Sequence, residues 1–550
     1  MPTSKPGKGS AFWLSFIAVI VSNFLSAIDL TAVSTAVPTI TQDLRGGDDF
    51  VWIGSVYGLA STAILPISGR LSDVFGRRPV MLTAISLFFI GSALAGSAQS
   101  MSWLIAARTV QGLGGGAITN LASIILAHLV PLAERGTYQG LLTVAWAFAG
   151  AIGPAIGGAF AEDTTWRWLF YLNLPLAGIC FILVALFLRV RTPEGSMQEK
   201  LRRIDWLGNC LIICGTTLAL VALTWGGIRY SWNSAHVVTP LIIGVVLIIA
   251  FFIYEWLMAS EPTTPLDILH DRTALSGNLA TFVHGILTMA TLFYLPVYFQ
   301  ACMDATPINS SVKMLPTTLI CAPTAIVFGT IIKKVQKYRA VNYIGWILML
   351  IGFGLFTLLK ADSPTAMWAG IQVITAAGIG IIWAATVFPI LASIPLNRIA
   401  AAIAFYGFLR TFAQTWGVTI TASILQNELR KNLPADFATR FPDGVEIAYA
   451  AIPLIRSLPE PMRTEVRVAF ADSMSVVWKV MVGISGGGFL TLLLLKEIPM
   501  QTHTDSRYGL EERATTTSTS NSDIEAPAIP GTDGPHVLVT VLQRDGLIAA

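Results

Sequence analysis

Long apolar runs dominate this chain, and its polar residues gather in short clusters between them. Fourteen runs are read, at about residues 12–38, 51–70, 79–98, 102–128, 137–161, 168–189, 206–226, 237–258, 273–299, 312–332, 341–359, 365–391, 400–425 and 474–495. Each approaches the roughly 20 residues that a helix needs to cross a bilayer core of about 30 Å. Lipid offers no partners to backbone N–H and C=O groups, so every run is expected to be helical. Prolines inside the runs, Pro154, Pro296 and Pro323, are tolerated in such helices. The pattern predicts an all-α membrane protein with fourteen transmembrane helices.

Composition agrees with that pattern and narrows the function. Hydrophobic residues make up 54% of the chain and charged residues only 12%, and the mean hydropathy is +0.66. A set of soluble domains is excluded. The net charge of +3 gives no case for nucleic-acid binding. The five cysteines, Cys180, Cys210, Cys214, Cys302 and Cys321, show no metal-type spacing. No metal and no cofactor are expected. Lys5 and Lys8 precede the first run as in a signal peptide, but the run is too long for one and reads as a retained span.

The position of the charges sets the orientation. One set of loops carries Arg70, Arg77, Arg78, Arg135, Arg189, Arg191, Lys200, Arg202, Arg203, Lys333, Lys334, Lys337, Arg339 and Arg398. The opposite short loops carry few basic residues. Positive residues favour the cytosol, so both termini are expected there. Residues 1–11 form the N-terminus, 12–190 a first six-helix bundle and 191–272 a linker with two inserted helices. Residues 273–495 form a second six-helix bundle whose outer loop, 427–472, has room for a surface helix. The Ser/Thr-rich tail, 496–550, reads as disordered and cytosolic. Asn309 heads a glycosylation sequon on the outer side.

Four stretches carry most of the chemistry. LSAIDLTAVSTAVPTI (Leu25 to Ile40) closes the first run, and GRLSDVFGRRP (Gly69 to Pro79) follows the second. RTVQGLGGG (Arg108 to Gly116) sits in the fourth run. GPAIGG (Gly153 to Gly158) sits in the fifth, ahead of WRWLFYLNLP (Trp166 to Pro175). A weak echo of the fourth run, QVITAAGIG (Gln372 to Gly380), appears in the twelfth. In this order the stretches closely resemble the major facilitator superfamily, and within it the fourteen-span drug:proton antiporter branch. The ending LLLLKEIPM followed by YGL resembles filamentous-fungal members that export toxins and other secondary metabolites. The resemblance implies the major facilitator fold, two six-helix bundles that rock about a central site.

Asp29 and Arg108 are ionisable groups inside apolar runs, which are costly to bury and usually functional. Counted from the outer ends of their runs they lie roughly 13 and 9 Å deep, close enough to meet. An arginine favours the charged carboxylate and burial disfavours it, so Asp29 is a candidate proton carrier. The resemblance implies proton coupling for Arg108. The alternative is a static ion pair.

The resemblance also makes the turn with Gly69, Asp73, Gly76, Arg77 and Arg78 a cytosolic latch between bundles. Positive-inside bias explains the arginines but neither the aspartate nor the glycines. At the matching place after the tenth run stands Lys333, so a symmetric second latch is not expected. The motif with Gly153, Pro154, Gly157 and Gly158 implies an exporter by the same resemblance. Its bland reading is close helix packing by small residues.

Candidate cargo residues are Gln111, Trp146, His284, Tyr294, Trp383, Tyr406, Arg410 and Gln414, an aromatic and mostly apolar set suited to amphiphiles. Arg410 suits an anionic or carbonyl group of the cargo, or locks the bundle. His284 suits proton handling or a plain hydrogen bond. The chain has no GxxxxGK[ST] sequence for ATP and no catalytic constellation. The expectation is a proton-coupled exporter of an amphiphilic small molecule, not an enzyme, monomeric, in the plasma membrane or a vacuolar or vesicle membrane, with membrane lipids around it. An importer of the same fold and a transport-dead sensor are the alternatives.

Overall fold

The computed structural model describes residues 9–44, 51–188, 196–202, 204–226, 230–259, 269, 271–395, 398–441 and 447–500. Readings placed on residues 1–8, on 189–195 of the linker and on 501–550 of the tail fall outside the described residues, as do the side chains of Pro154 and Gly158.

Among the described residues the chain forms fourteen helices of 18 residues or more: α1 (Ser10–Asp43), α2 (Val51–Phe75), α3 (Arg77–Gly96), α4 (Met101–Leu129), α5 (Leu132–Asp163), α6 (Arg167–Phe187), α7 (Trp206–Trp225), α8 (Ala235–Leu257), α9 (Arg272–Cys302), α10 (Leu315–Val335), α11 (Arg339–Phe356), α12 (Thr365–Ala385), α13 (Ile399–Asn432) and α14 (Met462–Thr491). Eleven stretches meet both the length and the hydropathy of a membrane crossing. The protein is therefore a multi-pass membrane protein. Helices α2, α5 and α13 are as long as the eleven and pack among them.

Short connections lay successive helices antiparallel. Only Gly76 separates α2 from α3. Its φ of 93° lies in the left-handed region, which glycine adopts without cost to a side chain. Other ends are fixed by side chains. Ser100 caps α4 by accepting from the Trp103 backbone N–H, and Asp271 caps α9 by accepting from Thr273 and Ala274.

The packing repeats. In the first half α1 lies against α4, α5 and α6, while α3 lies against α4 and α6, and α2 against α4. In the second half α9 lies against α12, α13 and α14, while α11 lies against α12 and α14, and α10 against α12. Adding eight to a helix number converts one list into the other. The two sets meet along α2 with α13 and α5 with α10, again a related pair. Helices α7 and α8 pack on each other, and α7 touches α2 and α13.

Glycines allow these approaches. A Cβ on Gly114 would stand 2.5 Å from the Phe88 nitrogen of α3, and one on Gly116 would stand 2.6 Å from Ser61 of α2. In α12 a Cβ on Gly378 would press on Met349 and Gly345 of α11, and one on Gly380 on Cys321 of α10. The glycine-rich stretches of α4 and α12 therefore do the same packing job in the two halves.

Some helix ends differ from the apolar runs. Helix α13 continues to Asn432 and α14 begins at Met462, well before the apolar run at 474. Its early turns turn Val466, Ala469 and Phe470 inward. On the other side Arg463 pairs with Asp304 at 2.7 Å, and Arg467 donates to the Cys302 carbonyl at 2.7 Å. The helix is held there by protein contacts, which hydropathy does not register. In the outer loop, the short helix Ile447–Ile455 buries Ile447, Ala451 and Ile455, one residue per turn, against α9, α13 and α14. Its buried face packs on the protein.

Candidate functional site

Asp29 and Arg108 meet. Both side chains are fully buried, and Arg108 Nη1 donates to Asp29 Oδ2 at 2.5 Å. Two amides complete the contact. Gln111 Nε2 donates to Asp29 Oδ1 at 2.8 Å, and Asn173 Nδ2 donates to the same oxygen at 2.7 Å. Gln111 stands three residues after Arg108, on the same face of α4. It accepts from Arg108 Nη1 at 2.7 Å and donates to Ser92 Oγ at 2.8 Å. Arg108 Nε donates to the Ile53 carbonyl at 3.2 Å. Its guanidinium lies over the Tyr57 ring at 4.5 Å and the Phe170 ring at 5.7 Å. One carboxylate thus gathers donors from α4 and α6, and its arginine is enclosed by α2 and α6. Paired and hydrogen-bonded charges are tolerable in such a place. Gln111, read above as a cargo contact, belongs to this cluster. Asn173, Ser92 and Tyr57 were not singled out by sequence reading. For Asn173 the available signal was a polar residue inside the apolar part of WRWLFYLNLP.

The glycine motif of α5 lies beside the cluster. A Cβ on Gly153 would collide with Thr31 and come within 3.1 Å of the Ala32 nitrogen, just past Asp29 on α1. Thr31 Oγ1 donates to the Ala149 carbonyl at 3.0 Å. Gly157 is buried.

At the α2–α3 turn Arg77 is buried and its Nη2 pairs with Asp73 Oδ1 at 2.5 Å. The same nitrogen reaches His128 Nε2 at 3.3 Å, and Arg77 Nη1 donates to the Ser72 carbonyl at 3.2 Å. Arg78 donates to the Ala185 carbonyl of α6. Ser72 Oγ donates to the Gly69 carbonyl at 2.7 Å. The turn is stitched to α4 and α6 of its own bundle. On the same face, the first and second bundles are joined through Glu134 and Lys333 at 3.4 Å and through the Thr137 and Thr330 hydroxyls at 3.0 Å. Lys333, noted above for replacing an aspartate, is thus one end of a bond between bundles. Glu497, just past α14, accepts from the Tyr338 and Arg339 backbone N–H groups at the start of α11.

The opposite face has its own clamp. Asp43, beyond the apolar part of α1, accepts from the Trp166 indole at 2.9 Å and from Arg167 at 3.0 Å. Those two hydrogen bonds, Trp166 first, hold its carboxyl below the usual carboxylate range. Arg167 also donates to the Ala98 carbonyl. Asn309 is exposed in the short helix Pro307–Lys313.

A second polar centre lies in the second bundle. The Arg410 guanidinium on α13 stacks over Trp383 at 4.2 Å and Tyr406 at 4.5 Å. Its Nη2 donates to the Tyr406 hydroxyl and, at 3.4 Å, to Thr386 Oγ1. His284 is fully buried, sits edge-on to Trp383 at 5.8 Å, and bonds the Ile379 carbonyl through Nε2 at 3.1 Å. His284, Trp383, Tyr406 and Arg410 are therefore brought together. Gln414 lies one turn beyond Arg410 and is half-buried. Two other cargo candidates are elsewhere. Trp146 packs against Ala27, Ile28 and Ala149 where α1 meets α5, and Tyr294 is buried with its hydroxyl donating to the Val418 carbonyl at 3.3 Å.

The fold is thus two helix bundles of matching packing, with a buried acid–base pair in one. The sequence model of the Major Facilitator Superfamily matches residues 19–418, and the chain belongs to that superfamily. It is accordingly a transporter and not an enzyme. It is 37% identical over 533 residues to the efflux pump FUS6 of Gibberella fujikuroi, covering 95% of this chain and 96% of that protein. It is 38% identical over 528 residues to the MFS-type efflux pump LUC4 of a Fusarium species, covering 94% and 93%. It is also 38% identical over 519 residues to the acurin A biosynthesis cluster MFS-type transporter of Aspergillus aculeatus, covering 92% and 93%. Among solved structures, the human organic anion transporter MFSD10 superposes with a TM-score of 0.57 at 14% identity, covering 88% of this chain and 100% of that one. The proton:xylose symporter XylE superposes with a TM-score of 0.53 at 14% identity, covering 84% and 98%. At that identity the two structures speak for the fold.

Proposed function

We propose that the protein is a proton-coupled exporter of amphiphilic small molecules, of the toxin or secondary-metabolite kind, working by alternating access in the plasma membrane with both termini in the cytosol. The observation that carries the reading is the Asp29 carboxylate, buried in the first bundle and held by Arg108, Gln111 and Asn173. A proton arriving from the outer side neutralises Asp29 and removes the charge that Arg108 pairs with. Tilting the bundles then presents Asp29 to the cytosolic side, where the proton leaves and the pair re-forms. An ion pair that exists in one protonation state only is the differential interaction such a switch needs. On the cytosolic face the Glu134–Lys333 and Thr137–Thr330 contacts join α5 to α10. They break when that face opens to admit cargo. The names of the relatives at 37–38% identity support the outward direction.

The test uses inside-out vesicles from cells expressing the full chain. With the lumen made acid and no ATP present, the vesicles accumulate members of a panel of fluorescent amphiphiles, and collapsing the pH gradient releases them. Accumulation that needs ATP and ignores the gradient would remove the proposal.

A further inference from the structure

Among the described residues Arg410, unlike Arg77 and Arg108, is a buried arginine with no acid in contact. Helices α9 to α12 contain no Asp or Glu. The one acid of α13, Glu428, lies about five turns further along the helix. The acids of α14, Glu465 and Asp472, are exposed. In the first bundle Asp29 is already taken by Arg108. The Arg410 side chain is nevertheless buried, its Nη2 is the only one of its nitrogens to reach an acceptor among the described residues, and its Nε has none. An arginine does not shed its proton to escape this situation. Aromatic faces at 4.2 and 4.5 Å offset part of the cost of desolvation, yet an isolated buried charge calls for a counter-charge.

A second buried cation, Arg135, lines the same cavity as Tyr406, the hydroxyl partner of Arg410. Tyr406, which accepts from Arg410, lines a small cavity between the bundles with Ser123, Gln139 and Arg135. Arg135 is buried. Its Nε and Nη2 donate to the Val130 and Ala127 carbonyls at the end of α4, and its Nη1 has no partner. The remaining lining, Leu126, Ala127, Val387, Leu391 and Ile403, is apolar. Arg135 of α5 and Tyr406 of α13, the latter bonded to Arg410, both line this cavity, and no acid does.

We infer that the cargo is an organic anion: an amphiphile whose apolar body fills the gap between bundles and whose carboxylate or enolate oxygen supplies the counter-charge that Arg410 and Arg135 lack. The inference rests on the transport reading above and narrows its cargo. It also separates two tasks: Asp29, inside the first bundle, carries the proton, while Arg410 of α13 and Arg135 of α5 read the charge of the cargo.

The probe pair is pyrenebutyrate and pyrenebutanol, which share their apolar body and differ in charge. Binding is measured to the purified full chain in nanodiscs, with empty nanodiscs subtracted. The carboxylate is expected to bind about tenfold or more tightly than the alcohol, the scale of one hydrogen bond to a charged group. Arg410→Gln is expected to lower binding of the carboxylate alone, and Arg410→Lys to keep part of the preference. Equal binding of the two probes by the unaltered protein overturns the inference without any variant. So does Arg410→Gln weakening both probes alike, and so does complete displacement of the carboxylate by an equal concentration of chloride, which would assign the site to an inorganic ion. The readout is separate from coupling. A lost charge preference with gradient-driven accumulation intact rejects the cargo class and leaves the exporter standing, whereas an intact preference with no gradient-driven accumulation rejects the coupling and leaves the site.

Discussion

Arg108 and Arg410 are both buried in membrane-embedded bundles of matching design, yet their surroundings are opposite. Arg108 meets a carboxylate at 2.5 Å, and that carboxylate takes two further hydrogen bonds from Gln111 and Asn173. Arg410 meets hydroxyls and aromatic faces. At the place in α12 that corresponds to Arg108 stands Gln372, a neutral residue bonded to Thr317 and to the Lys313 and Trp368 carbonyls. The two halves therefore share their packing and differ in their buried charges. A closed ion pair suits a proton that comes and goes, and an open cation suits a partner that arrives from outside.

The largest expected contrast is in stability. Arg108→Met leaves Asp29 buried without its cation, and removing one partner of a buried pair costs about 3–5 kcal/mol. Arg410→Met leaves no charge behind, so its thermal unfolding temperature in detergent should equal or exceed that of the parent. Equal losses in the two variants would erase the distinction drawn here. Next in size is Asn173→Ala, which removes one of the amides on Asp29. A hydrogen bond to a charged group contributes about 1.5–3 kcal/mol, so gradient-driven accumulation should fall about tenfold or more while the protein stays folded. Unchanged flux would leave Asn173 a spectator.

Glycine replacements probe the packing behind each arginine. A Cβ on Gly91 would stand 2.5 Å from the Gln111 nitrogen, and one on Gly285 would stand 2.8 Å from the Arg410 carbonyl oxygen. Each Gly→Ala change should cost about 1–3 kcal/mol by overpacking. Gly91→Ala should affect proton-linked flux and Gly285→Ala the binding of pyrenebutyrate. The smallest effect belongs to the half-exposed pair between bundles. Lys333→Glu should change stability by no more than about 1 kcal/mol, and the double exchange with Glu134→Lys should restore whatever is lost.

Much of the architecture was legible along the chain because lipid requires long apolar runs, and those runs are written in sequence. The helix ends were less legible where helices leave that regime. The first turns of α14 rest on Asp304 and on buried Val466 and Phe470, contacts that depend on the fold. The Asp29–Arg108 pair was visible because charges inside apolar runs are conspicuous. The bonds of Gln111 to Asp29, Arg108 and Ser92 are not legible in sequence, since a neutral amide does not announce its partner. Asn173 acquires its role only when α6 is laid beside α1, a tertiary fact. Trp146 and Tyr294 lie apart from the Arg410 centre, a separation that sequence does not show because aromatic residues serve packing and binding equally well.

The central claim is that Asp29 carries the coupled proton, and proton release on cargo binding tests it most directly. The purified full chain is held in weakly buffered solution with a pH-sensitive dye, and a compound shown to accumulate in the vesicle assay is added. The unaltered protein should release protons in proportion to the cargo bound, and Asp29→Asn should bind the compound without releasing any. Equal release by the two proteins, or cargo binding by the unaltered protein with no release at all, would contradict the account.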